Sequence, residues 1–371
     1  MKKLKVVTIV GTRPEIIRLS VVIEELDKVF DHFLIHTGQN YDQNLNQIFL
    51  KDLGIKSNLI ELGIDVKTPS RFIGELISKL EDKLLSIKPD AVMILGDTNS
   101  GLSVITAKKL GIPVYHLEAG NRSFDSNVPE EFNRRLIDHA SDFNLVYSEH
   151  ARRNLEAEGI DPRSICLIGS PMFEVFQKYA KQIQSSKILE KMNLNEAGYI
   201  LVSMHRQENV DDTQRLKSML STLDDLNKEF KVRIIVSTHP RTKSKLEVID
   251  FERNSQVSFV EPLGFFDYIK LQTNSLFVVS DSGSLPEEAS ILGFRGLAFR
   301  NSMERPEALE AGHVILSGLD SDEVLRAARY QLSSDLHIAP IGEYSIEDTS
   351  KRVISFIFST IGQYKFWKGL R

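Results

Sequence analysis

Cysteine is all but missing from this chain: Cys166 is the only one in 371 residues. A disulfide needs two thiols and a zinc cluster needs several ligands of that kind, so neither can be built within the chain. Long apolar runs are missing too. No stretch approaches the roughly 20 consecutive apolar residues that span a bilayer. The N-terminal burst Val6-Val7-Thr8-Ile9-Val10 is ended by Gly11 too soon to act as a secretory signal. The cytosol is therefore the expected compartment. Positive charge is not in excess either, since 46 Lys and Arg stand against 51 Asp and Glu, a formal net charge of −5. That excludes a broadly basic face for nucleic acid, and an anionic partner needs a local basic pocket. The phosphate loop G-x-x-x-x-G-K-[ST] does not occur, which argues against a nucleoside triphosphatase of that type.

What the sequence does hold is a regular alternation of short β-branched runs with longer amphipathic stretches. Strands are expected at Lys5–Val10, His32–His36, Ala91–Leu95, Pro113–Leu117, Phe143–Val146 and Ser164–Ile168. Helices are expected between them, at Glu15–Lys28, Arg71–Ile87, Ser100–Leu110 and Glu130–Ala140. Strands apolar on both faces, each followed by a helix, read as a parallel doubly wound sheet. The pattern restarts after Gly169-Ser170-Pro171-Met172 and a charged helical connector, Phe173–Asn193. A second strand set follows at Tyr199–Ser203, Val232–Ser237, Val257–Val260, Ser275–Val279 and Gly296–Phe299, with helices such as Thr213–Phe230 and Leu285–Leu292. A chain of this length exceeds the size at which one core keeps growing. Two Rossmann-like α/β domains are therefore expected, residues 1–172 and 173–345, with a last helix in 346–371 packing back on the first. Facing each other, two such sheets place their strand C-termini at one central cleft, where ligands of open α/β sheets bind.

The conspicuous polar residues fall just after the expected strands. Gly11-Thr12-Arg13-Pro14-Glu15 opens the first helix, and a glycine turn there offers backbone N–H groups and a favourable dipole to an anion, with Arg13 and Arg18 adding charge. Taken alone, it equally describes a tight turn with a solvated arginine. Asp97 follows Gly96 at the end of its strand and suits either a helix cap or an acid–base role. Glu118, in His116-Leu117-Glu118-Ala119-Gly120, ends an apolar strand, where a carboxylate is costly unless something uses it. His116 alternates along the same strand and reads as a satisfied core histidine. Glu130 and Glu131 follow Pro129 as ordinary first-turn acids, yet Glu130 could pair with Glu118 across a pocket. In the second half, His205 and then His239-Pro240-Arg241 follow strands, and Asp281-Ser282-Gly283-Ser284 opens a helix bearing Glu287 and Glu288. The last arrangement is phosphate-cradle grammar, with an acid placed for hydroxyl groups. Basic groups at Arg13, Arg18, Arg122, His239 and Arg241 in a net acidic chain point to a ligand with concentrated negative charge, and a nucleoside diphosphate sugar fits.

As an ordered set these motifs closely resemble the non-hydrolysing UDP-N-acetylglucosamine 2-epimerase family. Pro129-Glu130-Glu131, His205-Arg206-Gln207-Glu208-Asn209 and Glu304-Arg305-Pro306-Glu307 complete the match, which covers nearly the whole chain. The resemblance implies a GT-B-like pair of domains, commonly a homodimer, with UDP held mainly by the second domain and no cofactor or metal. It implies inversion at C2 by elimination of UDP to a glycal and re-addition. Asp97, Glu118, Glu130 and His205 are then the catalytic candidates. Arg13, Arg18, Arg122, Arg135, His239, Arg241, Ser282, Gly283, Ser284, Glu287 and Glu288 are the expected UDP-sugar contacts. Departures from the commoner pattern are Arg18 for lysine, Asn121 for leucine, Ser284-Leu285-Pro286 for Gly-Ile-Gln, and Gly38-Gln39-Asn40-Tyr41-Asp42 for Gly-Gln-His-Arg. They resemble the branch that makes UDP-N-acetyl-L-fucosamine from UDP-2-acetamido-2,6-dideoxy-L-talose for capsule or O-antigen. Interconversion of UDP-N-acetylglucosamine and UDP-N-acetylmannosamine is the nearest alternative, and a GT-B glycosyltransferase is the next.

Overall fold

The computed structural model describes residues 3–39, 53–55, 58–66, 68–238, 240–249, 254–334 and 339–369. It divides into two units, Met1–Val175 with Gly342–Arg371, and Phe176–Ile341. The first contains a seven-stranded sheet: β1 (Lys5–Val10), β2 (Asp31–His36), β3 (Asn58–Glu61), β4 (Ala91–Leu95), β5 (Val114–Leu117), β6 (Phe143–Val146) and β7 (Ile165–Leu167), in spatial order β3-β2-β1-β4-β5-β6-β7. Every pairing is parallel, with Val6 opposite both His32 and Ala91. The central strands are apolar on both faces because helices cover both. On the helix Pro69–Ile87, Leu76, Leu80 and Leu84 recur every fourth residue and pack on Val92 and Ile94. Each such leucine contributes roughly 2 kcal/mol of burial.

Helix Thr349–Ile361 completes this unit. Thr349 Oγ1 donates to the carbonyl of Ile168 at 3.0 Å, and the hydroxyls of Thr360 and Tyr115 are 2.8 Å apart. The Phe356 ring stands edge-on to the stacked pair Tyr115 and Phe143.

The second unit repeats the plan with six strands: β8 (Tyr199–Met204), β9 (Arg233–Thr238), β10 (Val257–Val260), β11 (Val278–Ser280), β12 (Gly296–Ala298) and β13 (Val314–Leu316), in order β10-β9-β8-β11-β12-β13. Its long helix, Thr213–Phe230, starts at Asp212, whose carboxylate accepts from the N–H groups of Gln214 and Arg215. It ends at Lys231, left-handed at φ 53°. Leu216, Leu220 and Leu223 on its inner face pack with Ile200, Val202 and Ile234.

Both units are Rossmann-like, as the alternation predicts. Three local expectations are corrected. The edge strands β3 and β13 carry no long apolar signal and were not anticipated. The strand expected from Ser275 begins at Val278, because Ser275 still closes the helix Phe265–Asn274 with its hydroxyl on the carbonyl of Gln272. The helix expected over Ser100–Leu110 opens as a 3-10 turn, Asn99–Ser103. Among the described residues no helix is long and apolar enough to cross a membrane. In each sheet the order reverses once, between β1 and β4 and between β8 and β11, and the carboxyl ends there form the crevice where such sheets bind ligands.

Candidate active site

At the first reversal point β1 ends in Gly11, whose backbone passes so close to neighbouring hydroxyls that a Cβ would stand 1.9 Å from Ser100 Oγ and 2.5 Å from Thr37 Oγ1. Any side chain there would displace both hydroxyls, which are hydrogen-bonded to each other at 2.8 Å. The next helix, Arg13–Val29, is closed by Glu15, a carboxylate that sequence reasoning left out of the site although Thr12-x-x-Glu15 has capping-box spacing. Its Oε2 accepts from the N–H groups of Gly11 (2.9 Å) and Thr12 (2.7 Å) and from Thr12 Oγ1, while Oε1 accepts from Thr98 Oγ1 at 3.0 Å. The turn's N–H groups are therefore already used, a correction to the expectation that they await an anion. Arg13 remains partly exposed beside them.

Burial pushes Glu15 from 4.5 up to about 7, against the opposing pull of Gly11, Thr12 and Thr98. A carboxyl raised on folding stabilises the fold fully below its unfolded value and loses that contribution as pH climbs through the folded value. Stability should thus fall between about pH 4.5 and 7, by up to about 3 kcal/mol. Urea unfolding at pH 5 and pH 8 is expected to show a smaller difference for Glu15→Gln than for the native chain. Equal differences would remove Glu15 as the cause.

Across the reversal point, β4 runs into Gly96 and Asp97. The Asp97 carboxylate meets Arg134, whose other nitrogen donates to Glu131 Oε2 at 3.1 Å. Asn133 holds the Asp97 carbonyl at 3.0 Å. The helix cap one residue on is Thr98, so Asp97 is not needed for that task. Arg134 was also missed by sequence reasoning. Its signal is that Glu131, Arg134 and Asp138 occupy the buried stripe of the helix Pro129–Ala140, where apolar residues normally stand.

Glu118 follows β5 in a left-handed conformation, φ 63°, a state that costs a non-glycine residue roughly 1–2 kcal/mol. Its Oε2 lies 2.6 Å from Arg18 Nη1, so two predicted residues 100 positions apart meet. Glu130 stands on the exposed first turn of Pro129–Ala140, whereas Glu131 turns inward to the N–H and hydroxyl of Ser123.

One predicted ligand contact in this unit, Arg122, is corrected. Arg122 is buried, with Nε and Nη2 on the two oxygens of Glu158 (2.8 and 2.7 Å) and Nη1 on Asp138 (2.6 Å) and the carbonyl of Asn121. Four of its five N–H donors serve the fold, and the side chain is turned inward and away from a phosphate. Arg135 is half-exposed, pairs with Glu131 at 3.0 Å, and lies over the Phe124 ring.

In the second unit the reversal point gathers His205 and Ser282–Ser284 around Asp281, which is fully buried. Burial alone would raise the Asp281 carboxyl. The charge and hydrogen bond of His205, the N–H of Arg206 and the Asn209 amide outweigh it and hold the carboxyl below its ordinary range. His205 Nδ1 is 3.0 Å from Asp281 Oδ1 and the ring is 40% exposed, an orientation suited to proton transfer. Ser282 and Ser284 join hydroxyls at 2.9 Å at the start of the helix Leu285–Leu292. Behind Gly283, Arg206 donates to Glu304 at 2.9 Å and Arg305 to the Gly283 carbonyl at 3.1 Å. Glu287 is corrected: it is buried, 3.3 Å from Arg305 Nη2, and does not present itself to a ligand. Glu288 is partly exposed and accepts from Gln272 at 2.7 Å. His239 and Asn40-Tyr41-Asp42 lie outside the described residues; Arg241 belongs to the helix Pro240–Leu246.

Residues 24–358 match a family model described as UDP-N-acetylglucosamine 2-epimerase. The solved UDP-N-acetylglucosamine 2-epimerase from Rickettsia bellii is 42% identical with a TM-score of 0.90, covering 98% of each chain. The enzyme of that name from Methanocaldococcus jannaschii, solved with UDP-GlcNAc and UDP, is 33% identical with a TM-score of 0.90, covering 96% of this chain and 100% of that one. The UDP-2,3-diacetamido-2,3-dideoxy-D-glucuronate 2-epimerase of Pseudomonas aeruginosa is 32% identical, over 90% of this chain and 94% of its own length.

Proposed function

The chain belongs to the UDP-N-acetylglucosamine 2-epimerase family and is an isomerase, and from that premise we propose that it inverts C2 of a UDP-linked 2-acetamido sugar by eliminating UDP and adding it back. The observation that carries this reading is the pair of carboxylates at the first reversal point, Glu118 on Arg18 and Asp97 on Arg134. Hydrogen at C2 of such a sugar is not acidic, because no carbonyl adjoins it. Breaking the C1–O bond, with its electron pair leaving on the diphosphate, gives C1 oxocarbenium character and acidifies C2. A carboxylate takes the proton, the C–H electrons form the C1–C2 double bond, and the glycal and UDP result. A proton delivered to the opposite face and return of the diphosphate oxygen to C1 complete the inversion, with no net gain or loss of atoms.

Asp97, Glu118 and Glu130 are the proton-transfer candidates in the first unit, with Arg13 and Arg18 supplying positive charge for the diphosphate. In the second, Ser282–Ser284 form the anion cradle, Glu288 is placed for hydroxyls and His205 for the leaving group or proton transfer. We assign UDP-2-acetamido-2,6-dideoxy-L-talose as substrate, giving UDP-N-acetyl-L-fucosamine, on the strength of Arg18, Asn121 and Ser284-Leu285-Pro286. The Pseudomonas relative, named for a sugar altered at C3 and C6, supports latitude in the family at those carbons. The names of the Rickettsia and Methanocaldococcus relatives favour UDP-N-acetylglucosamine as the second reading.

The test is incubation in D2O with each nucleotide sugar separately, following C2 by NMR. Deuterium is expected to enter C2 with inversion in the deoxy-talose nucleotide and not in the glucosamine nucleotide. The reverse pattern would establish the second reading. Absence of exchange in both, with UDP bound, would discard the epimerase.

A further inference from the structure

If Asp97 and Glu118 serve one carbon atom, as this functional reading requires, their spacing must be tightly held, since a misplacement of about 1 Å costs on the order of 100-fold in rate. They stand on loops after different strands. We propose that the buried pair Asp138–His116 is the positioning element that locks these two loops together.

His116 Nε2 donates to the carbonyl of Gly96, the residue before Asp97, at 2.8 Å. Its Nδ1 stands 2.9 Å from Asp138 Oδ1, a close polar contact outside hydrogen-bond geometry. The same carboxylate accepts the N–H of Gly120, two residues after Glu118, at 3.2 Å. One imidazole and one carboxylate in contact with each other therefore stand between the two loops, each hydrogen-bonded to the backbone beside one acid. Both side chains are 0% exposed, so neither touches a substrate and any effect on the reaction passes through the loops. The loops need such a clamp. Gly96, Glu118 and Gly120 are all left-handed, at φ 66°, 63° and 81°, and a strained non-glycine turn persists only when its surroundings over-determine it. On the side facing Glu118 the loops run close together, for a Cβ added to Gly96 would stand 3.9 Å from Glu118 Oε2. A Cβ on Gly120 would stand 2.3 Å from the carbonyl of Ala151, so the backbone of this corner packs directly against the helix Glu149–Ala157.

The test uses the full chain with His116→Gln, Asp138→Asn and the double variant, measuring kcat, KM, UDP affinity and C2 deuterium exchange. Each single variant is expected to lower kcat and exchange by about 10- to 100-fold, with KM and UDP affinity within about twofold. Because the pair acts as one unit, the double variant should be no slower than the slower single. Native kcat in the folded variants, losses that multiply in the double variant, or failure of both single variants to fold would overturn the positioning role. If Asp138→Asn alone fails to fold, His116→Gln decides. An inactive native enzyme would instead overturn the functional reading, and this inference with it.

Discussion

Glu118→Gln is expected to lower turnover by about 10²- to 10⁴-fold while UDP still binds. Glutamine has the shape of glutamate and can still accept a hydrogen bond from Arg18, which lies 2.6 Å from Oε2 in the native chain. It cannot take a proton from carbon. The strained backbone at φ 63° is unchanged by the substitution, so the loop keeps its form. UDP affinity is assigned mainly to the proposed cradle at Ser282–Ser284, in the other unit, and the substitution leaves the charges of Arg13 and Arg18 in place. Titration calorimetry with UDP, set beside a C2 exchange assay, separates the two properties. Turnover at the native rate would remove Glu118 from the chemistry. Lost UDP binding would instead make its pair with Arg18 part of the nucleotide site.

The second large effect is on stability. Arg122→Met takes from buried Asp138 its 2.6 Å guanidinium partner and from Glu158 its two shortest hydrogen bonds, and removing one partner of a buried ionic group costs about 3–5 kcal/mol. Trp367 is the single tryptophan and lies in the same unit, 6.5 Å from the Phe143 ring, so its fluorescence in urea follows the unit concerned. The pH dependence is a second signature. Hydrogen bonding from Arg122, opposed by burial and aided by His139, holds Glu158 at about 2, well below 4.5. A depressed carboxyl contributes its stability above the unfolded value and loses it as pH falls through the folded one. The native chain should lose stability between about pH 4.5 and 2, and Arg122→Met should lose less over that range. A variant as stable as the native chain would show that the two carboxylates do not need Arg122.

The fold was legible wherever burial left a two-sided apolar strand. Ala91–Leu95 was read to the residue, because all five positions are covered. β3, with its sequence Asn-Leu-Ile-Glu, is mostly exposed at a sheet edge, and β13 has three residues, so neither gives a run long enough to notice. In the site, position after a strand made the candidates Asp97, Glu118, His205 and Ser282–Ser284 legible as residues of the two reversal points. Those that hold them in place were not. Arg134, Asp138 and Asp281 look like ordinary charged residues until the sheet shows that each is buried and what it touches. Arg122 and Glu287 erred in the opposite sense. Each looked fit for a ligand, but their charges are spent inside the protein.

The closing helix Thr349–Ile361 sets an order of events during translation. Tyr115 and Phe143 are made early, yet the Thr360 hydroxyl and the Phe356 ring that cover them are 245 and 213 positions further on. All of Phe176–Ile341 leaves the ribosome in between. The unit whose strands are synthesised first must wait with an uncovered aromatic face, while the later one has every residue it needs. The usual sequence, in which an N-terminal domain is finished before its neighbour begins, is closed to this chain.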